Sequence, residues 1–170
     1  MPTPALAANL LSFVMPLTAA GLVPALLLAH IGWAQALTAV HPERAVAGAL
    51  LAAAGLTMLA WTVTLFIRIG RGTLAPWDPT RKLVVRGPYA HVRNPMITGV
   101  LAILIGEALT FGARSLWTWA ALFVAINHLY FLLSEEPGLA GRFGAEYDEY
   151  KRQVPRWLPR LSAWRPPVSR

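Results

Sequence analysis

An all-α integral membrane protein is the fold class the sequence predicts, and three observations predict it. Hydrophobic residues make up 56% of the 170-residue chain and the mean hydropathy is +0.49, above what soluble domains carry. Four segments are apolar over about the 20 residues that a helix needs to cross the hydrocarbon core. The Lys and Arg residues avoid those segments: Arg44 and Arg114 apart, all lie between Arg68 and Arg93 or from Arg142 onward. The net charge of +7 therefore reads as membrane flanks facing anionic headgroups, and nucleic acid is not an expected partner. With no cysteine, thiol chemistry and thiolate metal sites are excluded.

The first span covers residues 7–33 and contains Pro16 and Pro24, each of which removes an amide donor that lipid cannot replace, so a kink or a split re-entrant pair is expected. The second, 45–67, carries Gly48, Ala52 and Gly55, a small-residue spacing that admits a closely packed neighbour and would permit a dimer. The third and fourth, 96–113 and 115–134, are separated only by Gly112–Arg114 and must form an antiparallel hairpin. The positive-inside rule puts the 68–95 loop, the tail and both chain ends on the cytoplasmic side, in what reads as a bacterial inner membrane. No cleaved signal peptide is expected, since Met1–Ala8 has no basic region. In the tail, Gly138–Lys151 is expected to form one short amphipathic helix, stopped by the prolines from Pro155 onward. Trp157 and Trp164, beside Arg156, Arg160 and Arg165, suit the headgroup level.

Several polar groups require an explanation. Glu135 and Glu136 leave the fourth span at what reads as a helix C-terminus, where the macrodipole opposes carboxylates. Glu107 lies inside the third span and Asn127 and His128 inside the fourth, and ionisable groups in a bilayer normally face a cavity or a bundle interior. Tyr89, Tyr147 and Tyr150 flank the same end from loop and tail. No paired-ligand spacing supports a metal, and neither a GxGxxG nor a P-loop pattern is present.

The stretch GPYAHVRNPMITG, then a helical hairpin, then SEEPGLAGRFGAEYDEYKRQVPRWLP resembles the isoprenylcysteine carboxyl methyltransferase and phospholipid methyltransferase superfamily. Its pattern is roughly GPYxxxRHPxYxG, EExxL and FGxxYxxYxxxVPR, and the resemblance covers residues 81–160. By length and hydropathy the chain reads as a single membrane domain over 1–170 with N-terminal transmembrane helices in 1–67, and the resemblance implies a methyltransferase-like region in 81–160. It also implies S-adenosylmethionine as cofactor, held between the last helices and the cytosolic tail. Carried over by motif, the implied cofactor-binding residues are Tyr89, Arg93, Asn94, Pro95, Gly99, Glu135, Glu136, Tyr147 and Tyr150, and the implied catalytic residues are Glu136 and Arg156. Asn94 replaces the usual His and cannot act as a charged partner, while Ile97 replaces the usual Tyr and removes a hydroxyl. Arg93 and the start of the third helix, with Pro95 at a position where a missing N–H is no loss, would hold the cofactor carboxylate.

The implied activity is methyl transfer to a lipophilic acceptor, most like carboxyl O-methylation of a prenylcysteine. Open beside it stand N-methylation of a phospholipid such as phosphatidylethanolamine, methylation of an isoprenoid acid or small prenylthiol, an NADPH-dependent sterol-type reductase of similar fold, and a non-catalytic membrane protein. A lipid amine would need Glu136, Glu107 or His128 as base, whereas a carboxylate would need none. Prenylated or small lipophilic substrates and membrane lipids are the expected partners.

Overall fold

The computed structural model describes residues 14–70 and 82–166, so the first residues of the first span and the 71–81 part of the basic loop lie outside them. Every regular element among the described residues is helical. Three helices are long and apolar enough to cross a membrane, and a fourth, of 17 residues, is apolar but shorter. The chain is an all-α integral membrane protein.

The first helix, α1, spans Val14–Ile31 and is continuous through both prolines. A π turn over Thr18–Leu22 is what accommodates Pro24. The Val23 amide donates to Thr18 O, one residue farther back than in an α-helix. Ala19 O then has lost Val23 as its α partner, and its π partner would be the amide that Pro24 lacks. The indole of Trp119, from the fourth span, supplies the missing donor at 2.8 Å. A carbonyl orphaned in lipid is thus satisfied by a neighbouring helix, and the span bends without splitting. Gly32, at φ +100°, turns the chain into the short α2, Trp33–Thr38.

Helix α3, Pro42–Leu65, extends through a π turn to Gly70 and packs along α4, Pro95–Phe111. Their seam is made of glycines. A Cβ added at Gly55 would run into Gly99 O, one at Gly99 would sit 2.9 Å from Gly55 O, and Gly48 and Gly106 oppose each other in the same way. The small-residue face read as a possible dimer surface is therefore filled by the chain's own α4. Gly112, left-handed at φ +63°, closes α4 and leads directly into α5, giving the expected hairpin. Between the helices, Val100, Leu104, Ala120 and Phe123 form a buried cluster against Ala19 and Ala20 of α1.

Helix α5 corrects two expectations. It runs from Arg114 to Phe143 with a π turn over Phe131–Glu135, so the fourth span does not end at residue 134. Glu135 and Glu136 lie inside a continuous helix, and Glu136 opens its last α segment, so the unfavourable C-terminal position assigned to them does not arise. Thirty residues make about 45 Å, longer than the hydrocarbon core, so the end of α5 projects beyond it. The single tail helix expected over Gly138–Lys151 is also divided. Gly144, at φ +52°, breaks the chain between the end of α5 and a separate α6, Ala145–Gln153.

Candidate functional site

The loop before α4 and the tail after α6 come together at one end of the bundle. A 3₁₀ turn over Gly87–Ala90 carries Pro88 and Tyr89 inward, and His91–Asn94 then lead into α4. The tail lies alongside this loop and bonds to it through the backbone. Arg93 N donates to Pro155 O at 2.9 Å, Arg160 N to His91 O at 3.0 Å, and Trp164 N to Ala90 O at 2.9 Å. His91 Nδ1 also lies 2.8 Å from Arg160 O. Beneath the tail, Tyr147, Tyr150 and Val154 are buried against Leu83, Val85, Leu139 and Phe143. Tyr147 and Tyr150, three residues apart, share one face of α6, and Val154 follows just past its end.

Glu136 is the charged centre of this assembly and is 5% exposed. Its Oε1 accepts from Arg93 Nη1 at 2.8 Å and from Arg156 Nε at 2.7 Å, and its Oε2 lies 2.9 Å from Lys151 Nζ. Arg93 Nη1 also reaches the Tyr147 hydroxyl at 3.4 Å, and Tyr150 OH donates to Tyr89 O at 2.7 Å. The π turn before Glu136 adds a residue to the helix and so changes which face the following segment presents, at a place where such turns recur in functional sites. Burial, followed by the Glu136 charge, raises the Tyr147 phenol above its ordinary value, with Arg93 opposing the shift. The Tyr150 phenol is raised mainly by burial. Both are neutral hydroxyls at physiological pH.

Three cations around one carboxylate leave an excess of positive charge, and two groups remain unfilled. Arg93 Nε is buried with no acceptor. Glu135, half-buried beside Glu136, has no hydrogen-bond or ion-pair partner among the described residues. A buried donor without an acceptor and a carboxylate without a donor suit a ligand that carries both an anionic group and hydroxyl or ammonium groups. S-adenosylmethionine has that character, so the residues present fit it. Among the described residues there is no cluster of His, Asp and Glu able to hold a metal.

Of the residues singled out in the sequence, Tyr89, Arg93, Glu136, Tyr147, Tyr150 and Arg156 are joined in one network. Asn94 and Pro95 follow Arg93 directly: Pro95 is buried in the first turn of α4, and Asn94 caps the helix without a side-chain bond. Gly99 lies on the seam against Gly55, where it serves helix packing. His128 meets the tail. Its Nδ1 accepts from the Trp157 indole at 3.2 Å and the two rings stack. Glu107 sits about 18 Å along α4 from Pro95, well inside the span, and its Oε2 is buried without a partner. Sequence reading missed Lys151, although it stands four residues after Tyr147 on the same face of α6. It also took Trp157 only for a headgroup residue, whereas Trp157 packs between His128 and Phe131.

A family model described as phospholipid methyltransferase matches residues 43–146, which take in α3, α4, α5 and the start of α6. Methanethiol S-methyltransferase 2 of Bradyrhizobium diazoefficiens is 38% identical over 81 residues, 45% of this chain and 29% of that protein. An uncharacterized protein of Haemophilus influenzae is 33% identical over 63 residues, 37% of this chain and the whole of that one. The nickel-cobalt-cadmium resistance protein NccN of Alcaligenes xylosoxydans xylosoxydans is 30% identical over 105 residues, 57% of this chain and 46% of that protein. The chain thus spans less than half the length of two of these three relatives. No solved structure matches.

Proposed function

The chain belongs to the phospholipid methyltransferase family, and from that premise we propose that it is a membrane methyltransferase using S-adenosylmethionine and a lipophilic acceptor taken from the bilayer. The observation that carries this reading is the unfilled Arg93 Nε at the mouth of α4, held in place by Glu136. Arg93 and the amides of the first turn of α4 would bind the cofactor's carboxylate. Glu135 would accept from its hydroxyl or ammonium groups, and Tyr147 and Tyr150 would wall the site. The cofactor supplies, when bound, an electrophilic methyl group on a sulfonium. The protein's own contribution is placement of the acceptor out of water, which provides most of the advantage in such a displacement.

Both oxygens of Glu136 are engaged by cations, so its role in this reading is to orient Arg93 and Arg156. His128 Nδ1 is likewise occupied by Trp157. Glu135 is then the one group of the cluster free to take a proton. That shortage of bases favours acceptors that ionise readily, a carboxylate or a thiol, over a lipid amine. A thiol acceptor also accords with the name of the Bradyrhizobium relative. The excess of cations in the loop and tail supports a cytoplasmic position for the site and for both chain ends.

The test is binding of labelled S-adenosylmethionine and of NADPH to the protein in detergent, followed by incubation with a membrane extract and deuteromethyl cofactor. Saturable binding of the first alone, and a deuteromethylated lipophilic acid or thiol in the mass spectrum, are expected. Preferential NADPH binding would replace the reading with a reductase. Cofactor binding with no methylated product would leave a non-catalytic protein.

A further inference from the structure

Separate from the Glu136 network, the loop and the end of the tail enclose a cleft of about 390 Å³. Arg86 and Gly87 line one side and Trp164 and Arg165 the other, with Ala90 between them. Both arginines are exposed, and neither meets a carboxylate among the described residues. The rest of the wall is apolar, contributed by residues such as Val85 and Pro166. The cleft rests on the end of α3. A Cβ at Gly87 would lie 3.0 Å from Leu65 and 3.3 Å from the Trp61 ring, and φ of +60° allows the glycine to bring the loop backbone down onto them. Trp61 is half exposed at the end of a span, where indoles mark the headgroup layer.

We propose that this cleft binds the phosphodiester headgroup of an anionic membrane lipid, with the Arg86 and Arg165 guanidinium groups on the phosphate. The charge is complementary, the volume suits a headgroup, and the cleft stands on a transmembrane helix at headgroup depth, where a lipid phosphate is already present. A bound lipid would also fasten the tail. Trp164 donates its amide to Ala90 O and its ring packs 5.6 Å from Tyr150, so a ligand bridging Arg86 and Arg165 would tie the last tail residues over the Tyr147–Tyr150 layer.

Native mass spectrometry of the protein in detergent, titrated with phosphatidylglycerol or phosphatidylcholine, tests the proposal. One phosphatidylglycerol is expected to be retained in preference to phosphatidylcholine. Arg86→Gln and Arg165→Gln should each weaken it about fivefold and the pair about thirtyfold, from the attraction typical of one basic residue near a membrane surface. Arg114→Gln, at the far end of the bundle, should leave it unchanged. Circular dichroism and thermal unfolding of each variant establish that it is folded, which the exposure of both arginines favours. Equal retention of the two lipids, equal retention by wild type and the double variant, or displacement of the lipid by an equal concentration of inorganic phosphate would overturn it.

Discussion

Arg93 and Glu136 stand 43 positions apart, one at the mouth of α4 and the other near the end of α5, and their side chains meet at 2.8 Å. They are 10% and 6% exposed, so this is a desolvated pair whose members depend on each other. The dependence is unequal, because Glu136 also holds Arg156 and Lys151. Arg93→Ala leaves the carboxylate with two cations, whereas Glu136→Ala leaves two largely buried arginines without a counter-charge. Arg93→Ala should therefore weaken S-adenosylmethionine binding at least tenfold, roughly the worth of a charged hydrogen bond, with a small change in thermal unfolding. Glu136→Ala should lower both and loosen the tail, at a cost of about 3 kcal/mol. Lys151→Ala, at a 46% exposed side chain, should cost under about 1 kcal/mol. Calorimetry and unfolding in detergent separate the three.

Trp119→Phe removes the indole donor to Ala19 O while keeping most of the ring's volume. Ala19 O is left without a partner in the π turn, and hydrogen bonds between membrane helices are worth about 0.6–2 kcal/mol. A fall in unfolding free energy of that size is expected, without change in cofactor affinity. A variant as stable as wild type would show that the carbonyl finds another donor.

The hydropathy of the chain made the spans legible, because each is a long apolar run and the last three are bounded by charge. The π turns at Thr18–Leu22 and Phe131–Glu135 were not legible: both depend on where a proline forbids one backbone bond, and the choice of register is made by packing. Misplacing the end of α5 followed from this, since Ser134 to Gly138 contains a proline and a glycine and reads as a helix stop. Arg93, Glu136, Tyr147 and Arg156 could be selected through their shared motif spacing. Lys151 carried no motif and stood out only once α6 was in place, and Gly99 belonged to the motif yet serves the seam with α3.

Gly99→Ala distinguishes packing from ligand contact. The new methyl would stand 2.9 Å from Gly55 O and 3.2 Å from Leu59 N, both backbone atoms of a neighbouring span that cannot turn aside. The helices must separate, and overpacking of this kind costs about 1–3 kcal/mol. The unfolding temperature should fall while the affinity of the folded fraction for S-adenosylmethionine is kept. Loss of affinity at unchanged stability would assign Gly99 to the ligand.

Tail docking should weaken in alkali. The Tyr147 and Tyr150 phenols are raised in the folded protein, while in an undocked tail they ionise near about pH 10. For an acid with a raised folded value, the stabilisation is complete below the unfolded value and is lost as pH rises through the folded one. Protection of the tail from limited proteolysis should hold to about pH 10 and then decline by up to about 1.4 kcal/mol per pH unit for each tyrosine kept neutral. Tyr150→Phe, which removes one titrating group along with its bond to Tyr89 O, should start from lower protection and decline less steeply. Identical slopes would mean that these phenols do not govern docking.

Orientation in the membrane can be read directly, because the chain has no cysteine and a single introduced thiol is unambiguous. Ser162 in the docked tail and Ala113 in the turn between α4 and α5 lie at opposite ends of the bundle: a 17-residue α4 separates the loop that the tail binds from that turn. Ser162 is exposed and Ala113 is half-buried at a helix start. Of the cations, only Arg44 and Arg114, in the first turns of α3 and α5, stand on the Ala113 side, while the other thirteen belong in sequence to the loop and tail. That asymmetry sets orientation during insertion. In intact cells, an impermeant maleimide should label Ala113→Cys and spare Ser162→Cys, and inverted vesicles should reverse the pattern. Labelling of both from one side would mean that the two ends of α4 do not face opposite compartments, and the four-span arrangement would then fail with the topology. The opposite pattern would keep the spans but put the Arg93–Glu136 network outside the cytoplasm, away from the supply of S-adenosylmethionine.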